Sequence, residues 1–429
     1  MSAPTPYADS TPDIPSPRCV EPEVDWRADV DFMDRYNNVR QIELSRQPRE
    51  MKATALEIES EIYNNSRSKH DYNANIQGVI DAGEPMETSE GDTSLESVGN
   101  GIVIGQYTNC EEIGEGVSSK VYVSGTVALK VRKEPEDLPP HNIGREARIM
   151  ETLGTRRDNN GGLTRCIHLE SYFDSPLGPV LVMPFMPLTL EMVLKDDTHD
   201  CSPHSKLSQK RLFHIFEQVF SGLEYVHSFG IIHRDIKPSS ILLSSLDGSA
   251  VLSDFGASWH PEFSLMVEPV EPETQKCLDV GTGRYRAPET LFGNHAYGTS
   301  LDMWSAGAML AECARPYPHD PLFRSLAAHE DGNQLGLILD IIKKLGTPTH
   351  ETWPESTTFR TPPFEMYNHF ETRPWAEILA DVNERIQVIV SKLVRYQSTE
   401  RLTATQALEE IQKLQNPTEE ETHDEEDNE

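Results

Sequence analysis

Six short stretches, in one order, constrain this chain more than any other feature. They are "IGEGVSSKV" (113–121), "VALK" (127–130), "GREARIMETL" (144–153), "HRDIK" (233–237), "SDFG" (253–256) and "YRAPE" (285–289). Around the first two stretches the pattern alternates and is rich in Val, which predicts strands. "PVLVMPFMPLTLEMVL" reads as another strand running into a turn. "KRLFHIFEQVFSGLEYVHSFG" then repeats apolar residues every three or four positions, which predicts a helix. An α+β architecture follows, with a small β-rich lobe ahead of a larger helical one.

The chemistry of these stretches suits phosphoryl transfer, which depends on positioning and charge neutralisation. Gly114 and Gly116 let a backbone turn approach phosphates without a Cβ, although the third position of such a turn is Ser119. Lys130, expected on the third strand, can hold α- and β-phosphates, and Glu146 on a helix can orient it by ion pairing. Asp235 supplies a proton acceptor and Lys237 a cation facing the transferred group. Asp254 supplies a carboxylate for magnesium, with Phe255 packing beneath it. Each stretch alone is weak; their order and spacing together are specific.

With these motifs in place, the chain resembles the eukaryotic protein kinase family over roughly residues 105–414. The resemblance implies a bilobal kinase fold, ATP as co-substrate and Mg2+ as cofactor. It implies an ATP site formed by Ile113, Gly114, Gly116, Val121, Ala128, Lys130, Glu146, Met183, Pro184, Met186 and Leu242. Met183 takes the gatekeeper place and Pro184–Met186 the hinge, where Pro184 offers only its carbonyl. Asp302 is implied to tie down the catalytic loop, and Glu289 and Arg401 to form a buried ion pair.

"YRAPETLFG", "LDMWSAG" and "KKLGTPTHETWPE" resemble the cyclin-dependent-kinase-like group. "LDVGTGRYRAPETLFGNHAYGTSLDMWS" with "LGLILDIIKKLGTPT" is most similar to the fungal single-subunit kinases that activate cyclin-dependent kinases. The implied activity is phosphorylation of Ser or Thr, with an activation-segment Thr of cyclin-dependent kinases as substrate. No "PSTAIRE"-like cyclin-contact helix is present; the stretch reads "PPHNIGREARIME". The glycine turn carries Ser118-Ser119 rather than Thr-Tyr, and Cys277 stands where the activating threonine belongs. Thr282 matches instead the threonine that hydrogen-bonds the catalytic Asp and Lys. Activity independent of cyclin, and of phosphorylation at position 277, is expected. The acidic insert "PEFSLMVEPVEPETQKC" then needs other contacts to order it.

One position departs from the family pattern. Ser240 stands where an Asn holds a metal ion, so its hydroxyl is expected to reach magnesium weakly, directly or through water. An active but slower enzyme is the reading preferred. A scaffold without catalysis and a conventional cyclin-dependent kinase are the alternatives.

Charge and composition bound the rest. Of the net charge of −32, residues 1–104 contribute 20 acids against 9 bases, and residues 418–429 contribute eight acids and no base. Such a surplus disfavours nucleic acid and anionic membranes as partners; the kinase resemblance implies protein substrates. Residues 1–104 are expected to form a mostly disordered acidic arm and 415–429 a disordered acidic tail. Within the arm, Met51, Ala55, Ile58 and Ile62 fall on one stripe of a transient helix. No apolar run approaches the ~20 residues of a membrane span, and the first residues lack a signal-peptide pattern. Six scattered cysteines without paired spacing fit a reduced, zinc-free protein inside the cell, in the cytoplasm or nucleus.

Overall fold

The computed structural model describes residues 62, 66, 68–81, 101–133, 137–154, 163–195, 207–325, 334–359 and 368–415. The chain divides into two units, Met1–Glu96 and Ser97–Glu429. The first contains helix α1 (Lys69–Asp81), whose start is capped by Ser68 Oγ accepting the Asp71 amide at 3.1 Å. This helix lies in a stretch expected to be disordered. Met51, Ala55 and Ile58 of the expected transient helix lie outside the described residues, as do residues 416–429 of the tail.

The second unit opens with a six-stranded antiparallel sheet, ordered β1-β2-β3-β4-β6-β5. Its strands are β1 (Ile102–Ile104), β2 (Tyr107–Glu115), β3 (Ser119–Ser124), β4 (Val127–Arg132), β5 (Ser171–Ser175) and β6 (Gly178–Pro184). Ile104, Cys110, Leu129, Val131, Val180 and Val182 form its buried core. One expectation, Lys130 on the third strand, is corrected here. The sheet begins before residue 105, because the β-branched run Ile102–Ile104 pairs with β2 and buries Ile104. That extra strand puts Lys130 on the fourth strand rather than the third.

Helix α2 (Ile143–Leu153) packs beside this sheet. Asn142 caps it by accepting the Arg145 amide at 2.7 Å, and Gly154, at φ 72°, ends it. A two-residue strand β7 (Leu188–Thr189) and helix α3 (Leu190–Lys195) lead into the helical lobe. Helix α4 (Gln209–Ser228) buries Leu212, Phe216, Val219, Leu223 and Val226 at helical spacing. It supports a small sheet of β7, β8 (Ile241–Leu243) and β9 (Ala250–Leu252). Helices α5 (Pro288–Leu291) and α6 (Ser300–Ala314) follow, and α6 is apolar nearly all round because it runs through the lobe's centre. Helices α7 (Leu335–Leu345), α8 (Trp375–Ile378), α9 (Glu384–Leu393) and α10 (Ala404–Gln415) complete the lobe. The fold is α+β, a sheet lobe followed by a helical lobe. No helix among the described residues is long and apolar enough to cross a membrane.

Candidate functional site

The polar residues of the sequence motifs converge. Lys130 sits in β4 between Val121 of β3 and Leu181 of β6, so its ammonium leaves the sheet at a buried position. Its Nζ lies 2.7 Å from Glu146 Oε1 on α2 and 2.7 Å from Asp254 Oδ1 after β9. Burial by itself would lower the Lys130 amine, but the Asp254 and Glu146 carboxylates outweigh it and hold the amine well above the usual lysine range. The Lys130 charge in turn holds the Asp254 carboxyl well below the usual carboxylate range, against burial. Burial pushes the Glu146 carboxyl up, opposed by Lys130.

Local backbone chemistry fixes this trio. Asp254 adopts a left-handed conformation, φ 63° and ψ 64°. The Asn142 amide, at the start of α2, donates to the Gly256 carbonyl at 3.1 Å and so ties the helix to the Asp254 turn. A Cβ at Gly256 would meet Glu146 Oε2 at 3.2 Å and Lys130 Nζ at 3.3 Å, so a side chain there would crowd the ion pair. Phe255, fully buried, packs on His233 with ring centroids 5.0 Å apart.

A second cluster forms across the catalytic loop. Asp235 Oδ1 accepts the Thr282 hydroxyl at 2.7 Å, and Lys237 Nζ donates to Asp235 Oδ2 at 2.6 Å and to Thr282 Oγ1 at 3.0 Å. Asp302, wholly buried in α6, accepts the amides of His233 and Arg234 at 2.8 Å each, holding the loop backbone from below. Glu289 and Arg401 meet in a bidentate pair of 2.7 and 2.8 Å.

A cleft of about 370 Å³ separates the glycine turn from this loop, lined among others by Gly116, His141, Asp235, Lys237, Asp254 and Thr282. The remaining sequence-predicted residues stand on the strands and the segment after β6, outside the lining of this cleft. Gly114 pairs with Val121 across β2 and β3, and Ala128 with Met183 across β4 and β6. Ile113 is exposed at the end of β2, and Leu242 lies in the middle of β8. Pro184 ends β6, the Phe185 amide is taken by the Thr126 carbonyl at 2.8 Å, and Met186 follows, half-buried.

Ser240 departs from expectation. Its side chain has no exposure; its Oγ donates to the Lys237 carbonyl at 2.8 Å and accepts the Lys237 amide at 3.0 Å. The short stem keeps the hydroxyl on the loop's own backbone, where it braces the loop through Lys237. Among the described residues no three His, Cys, Asp or Glu side chains gather as a metal cage. The Asp254 side chain is two-fifths exposed at the cleft. A single open carboxylate suits a hard divalent ion that keeps waters and takes phosphate oxygens for its other ligands.

Sequence reading missed His141 and Glu271. His141 lines the cleft just before the Asn142 cap, and burial above all pushes its imidazole below the usual range. Nothing in "PPHN" marks a cleft residue; only the packing of the turn brings it in.

Comparison with known proteins agrees with this geometry. Residues 107–411 match the protein kinase domain family. The chain is also 34% identical to the serine/threonine-protein kinase csk1 of Schizosaccharomyces pombe over 315 residues, covering 70% of this chain and 92% of the relative.

Proposed function

The chain belongs to the protein kinase family and is a protein serine/threonine kinase; from that premise we propose that it phosphorylates the activation-segment threonine of cyclin-dependent kinases. The observation that carries the catalytic part is the joint placement of Lys130, Glu146 and Asp254 at one side of the cleft and Asp235, Lys237 and Thr282 at the other. The substrate choice is supported by the resemblance of residues 278–305 to kinases that activate cyclin-dependent kinases.

Kinases of this family use ATP with a divalent metal, and we take magnesium as the ion and Asp254 as the residue that would hold it. When bound, the ion neutralises phosphate charge. Asp235 accepts the proton of the substrate hydroxyl, whose oxygen forms a bond to the γ-phosphorus as the bond to the β-phosphate oxygen breaks and ADP leaves. Thr282 fixes one Asp235 oxygen and Lys237 the other, so the carboxylate faces the incoming hydroxyl in one orientation. Lys237 also places positive charge where the transferred group becomes more negative. Lys130, oriented by Glu146, holds the α- and β-phosphates.

The partners of this reading are protein substrates, without cyclin, nucleic acid or membrane, and the place is the cytoplasm or nucleus. Four described cysteines, 110, 166, 277 and 313, are free thiols, in keeping with a reducing compartment. Incubating the isolated chain with magnesium-ATP and an unphosphorylated cyclin-dependent kinase, then mapping phosphate by mass spectrometry, tests the substrate. Phosphothreonine in the activation segment is expected; phosphate only elsewhere, or mainly on tyrosine, would refute it.

A further inference from the structure

Position 277 carries a cysteine, so no phosphate ester of the threonine type can anchor the activation segment there. The structure puts a carboxylate beside it. Glu271, 4% exposed, accepts the Cys277 amide on Oε2 at 2.8 Å. The same oxygen accepts Arg234 Nη1 at 2.6 Å, while Oε1 accepts Arg234 Nη2 at 3.2 Å and Arg145 Nη1 at 3.2 Å. Both guanidiniums are buried, at 0% and 2% exposure. One carboxylate thus binds three segments: the activation segment, the catalytic loop and helix α2.

The two arginines are the sequence neighbours of the two residues that matter most to transfer. Arg234 precedes Asp235, the proton acceptor, and Arg145 precedes Glu146, the partner of Lys130. Consecutive Cα atoms are about 3.8 Å apart, so fixing an arginine's place restrains its neighbour. Both sides of the site are therefore anchored to Glu271. The carboxylate itself arrives prearranged. The Glu271 amide donates to the Ser264 carbonyl at 2.9 Å, and its carbonyl accepts Trp259 Nε1 at 2.8 Å. Neutral oxygens take further guanidinium donors, the Tyr297 hydroxyl and the Ala257 carbonyl for Arg234 and the Pro140 carbonyl for Arg145, whose buried Nε has no hydrogen-bond partner.

We propose that Glu271 is a permanent, encoded substitute for an activating phosphate: a positioning residue that holds Asp235 and the Lys130–Glu146 pair in transfer geometry. A phosphate on position 277 would compete for the same two arginines, which a carboxylate with two acceptor oxygens already engages. The assembled state then needs neither an upstream kinase nor phosphate, and phosphatases cannot reverse it. The proposal rests on the chain being a kinase and not on its choice of substrate. Its assay therefore uses myelin basic protein as a general acceptor.

The test takes the full chain made in bacteria and treated with phosphatase, with kcat, KM for ATP and melting temperature measured for the parent, Glu271→Gln, Glu271→Asp and Glu271→Ala. The parent keeps its rate after phosphatase. Glu271→Gln lowers kcat by about 100-fold with little change in KM, the scale of loss when reacting groups shift by about an ångström. Glu271→Asp keeps the charge and regains part of the rate. Added formate or inorganic phosphate raises kcat of Glu271→Ala and leaves the parent unaffected. A Glu271→Gln chain that is folded at the assay temperature and turns over at the parental rate overturns the proposal. If Glu271→Gln does not fold, Glu271→Asp decides: parental kcat in that variant, with no effect of anions on Glu271→Ala, overturns it equally.

Discussion

Ser240 and Lys237 are locked together through a reciprocal pair of hydrogen bonds: the serine hydroxyl donates to the lysine carbonyl at 2.8 Å and accepts the lysine amide at 3.0 Å. A position expected to hold metal instead holds the backbone of the residue that grips Asp235 and Thr282. The loop keeps its brace through these two bonds.

Ser240→Ala should therefore leave the buried Lys237 amide without its partner, at a cost of about 1–3 kcal/mol in stability. Turnover should fall as Lys237 loosens, while the magnesium concentration for half-maximal rate stays at the parental value. A magnesium titration of the variant beside the parent checks this. A clear rise in the magnesium requirement would show that the hydroxyl serves the ion after all.

The Glu289–Arg401 pair, with side chains 1% and 0% exposed, lies far from the cleft in sequence and anchors the end of the activation segment to the lobe's last helices. Removing one partner leaves a buried charge, which costs about 3–5 kcal/mol. Arg401→Met should lower the denaturant midpoint strongly, and Glu289→Leu added to it should recover much of the loss. A double variant no more stable than Arg401→Met would contradict this view of the pair.

Acid should act through Glu271. Burial pushes its carboxyl up, but hydrogen bonds and charge from Arg234, the Cys277 amide and the charge of Arg145 outweigh it and hold the group below the ordinary value of 4.5. Lys276 and the Tyr297 hydroxyl also face it, and both arginines stay charged across the acidic range. A carboxyl with a depressed folded value contributes stability that is present above the unfolded value and lost as pH falls through the folded one. The difference in melting temperature between the parent and Glu271→Gln should thus be full near neutrality and shrink below about pH 4.5. A difference independent of pH would mean that the carboxylate's charge is not what stabilises the segment.

Much of this was legible in sequence because each residue is demanded by its own chemistry. Lys130, Glu146, Asp235, Lys237 and Asp254 could be named because phosphate, proton and metal each need one residue type at one place in an ordered series, and Thr282 because the family resemblance implies it. Helix α4 was legible from its apolar spacing, since one face had to be buried. Other features depend on where distant segments meet. A hydroxyl at position 240 can point into the cleft or at the loop, and only the folded loop decides. Glu271 is one acid among several in an acidic insert, and its distinction comes from Arg234 and Arg145, 37 and 126 positions away.

The central claim is that the isolated chain catalyses transfer with Asp235 as proton acceptor, needing neither cyclin nor a phosphorylated activation segment. The most direct measurement is the steady-state rate of phosphate transfer from ATP to an unphosphorylated cyclin-dependent kinase by the phosphatase-treated chain alone, beside Asp235→Asn. Turnover by the parent and a loss of about 100-fold or more in Asp235→Asn is the result predicted. No turnover without an added cyclin or an upstream kinase, or an equal rate in both chains, would contradict it.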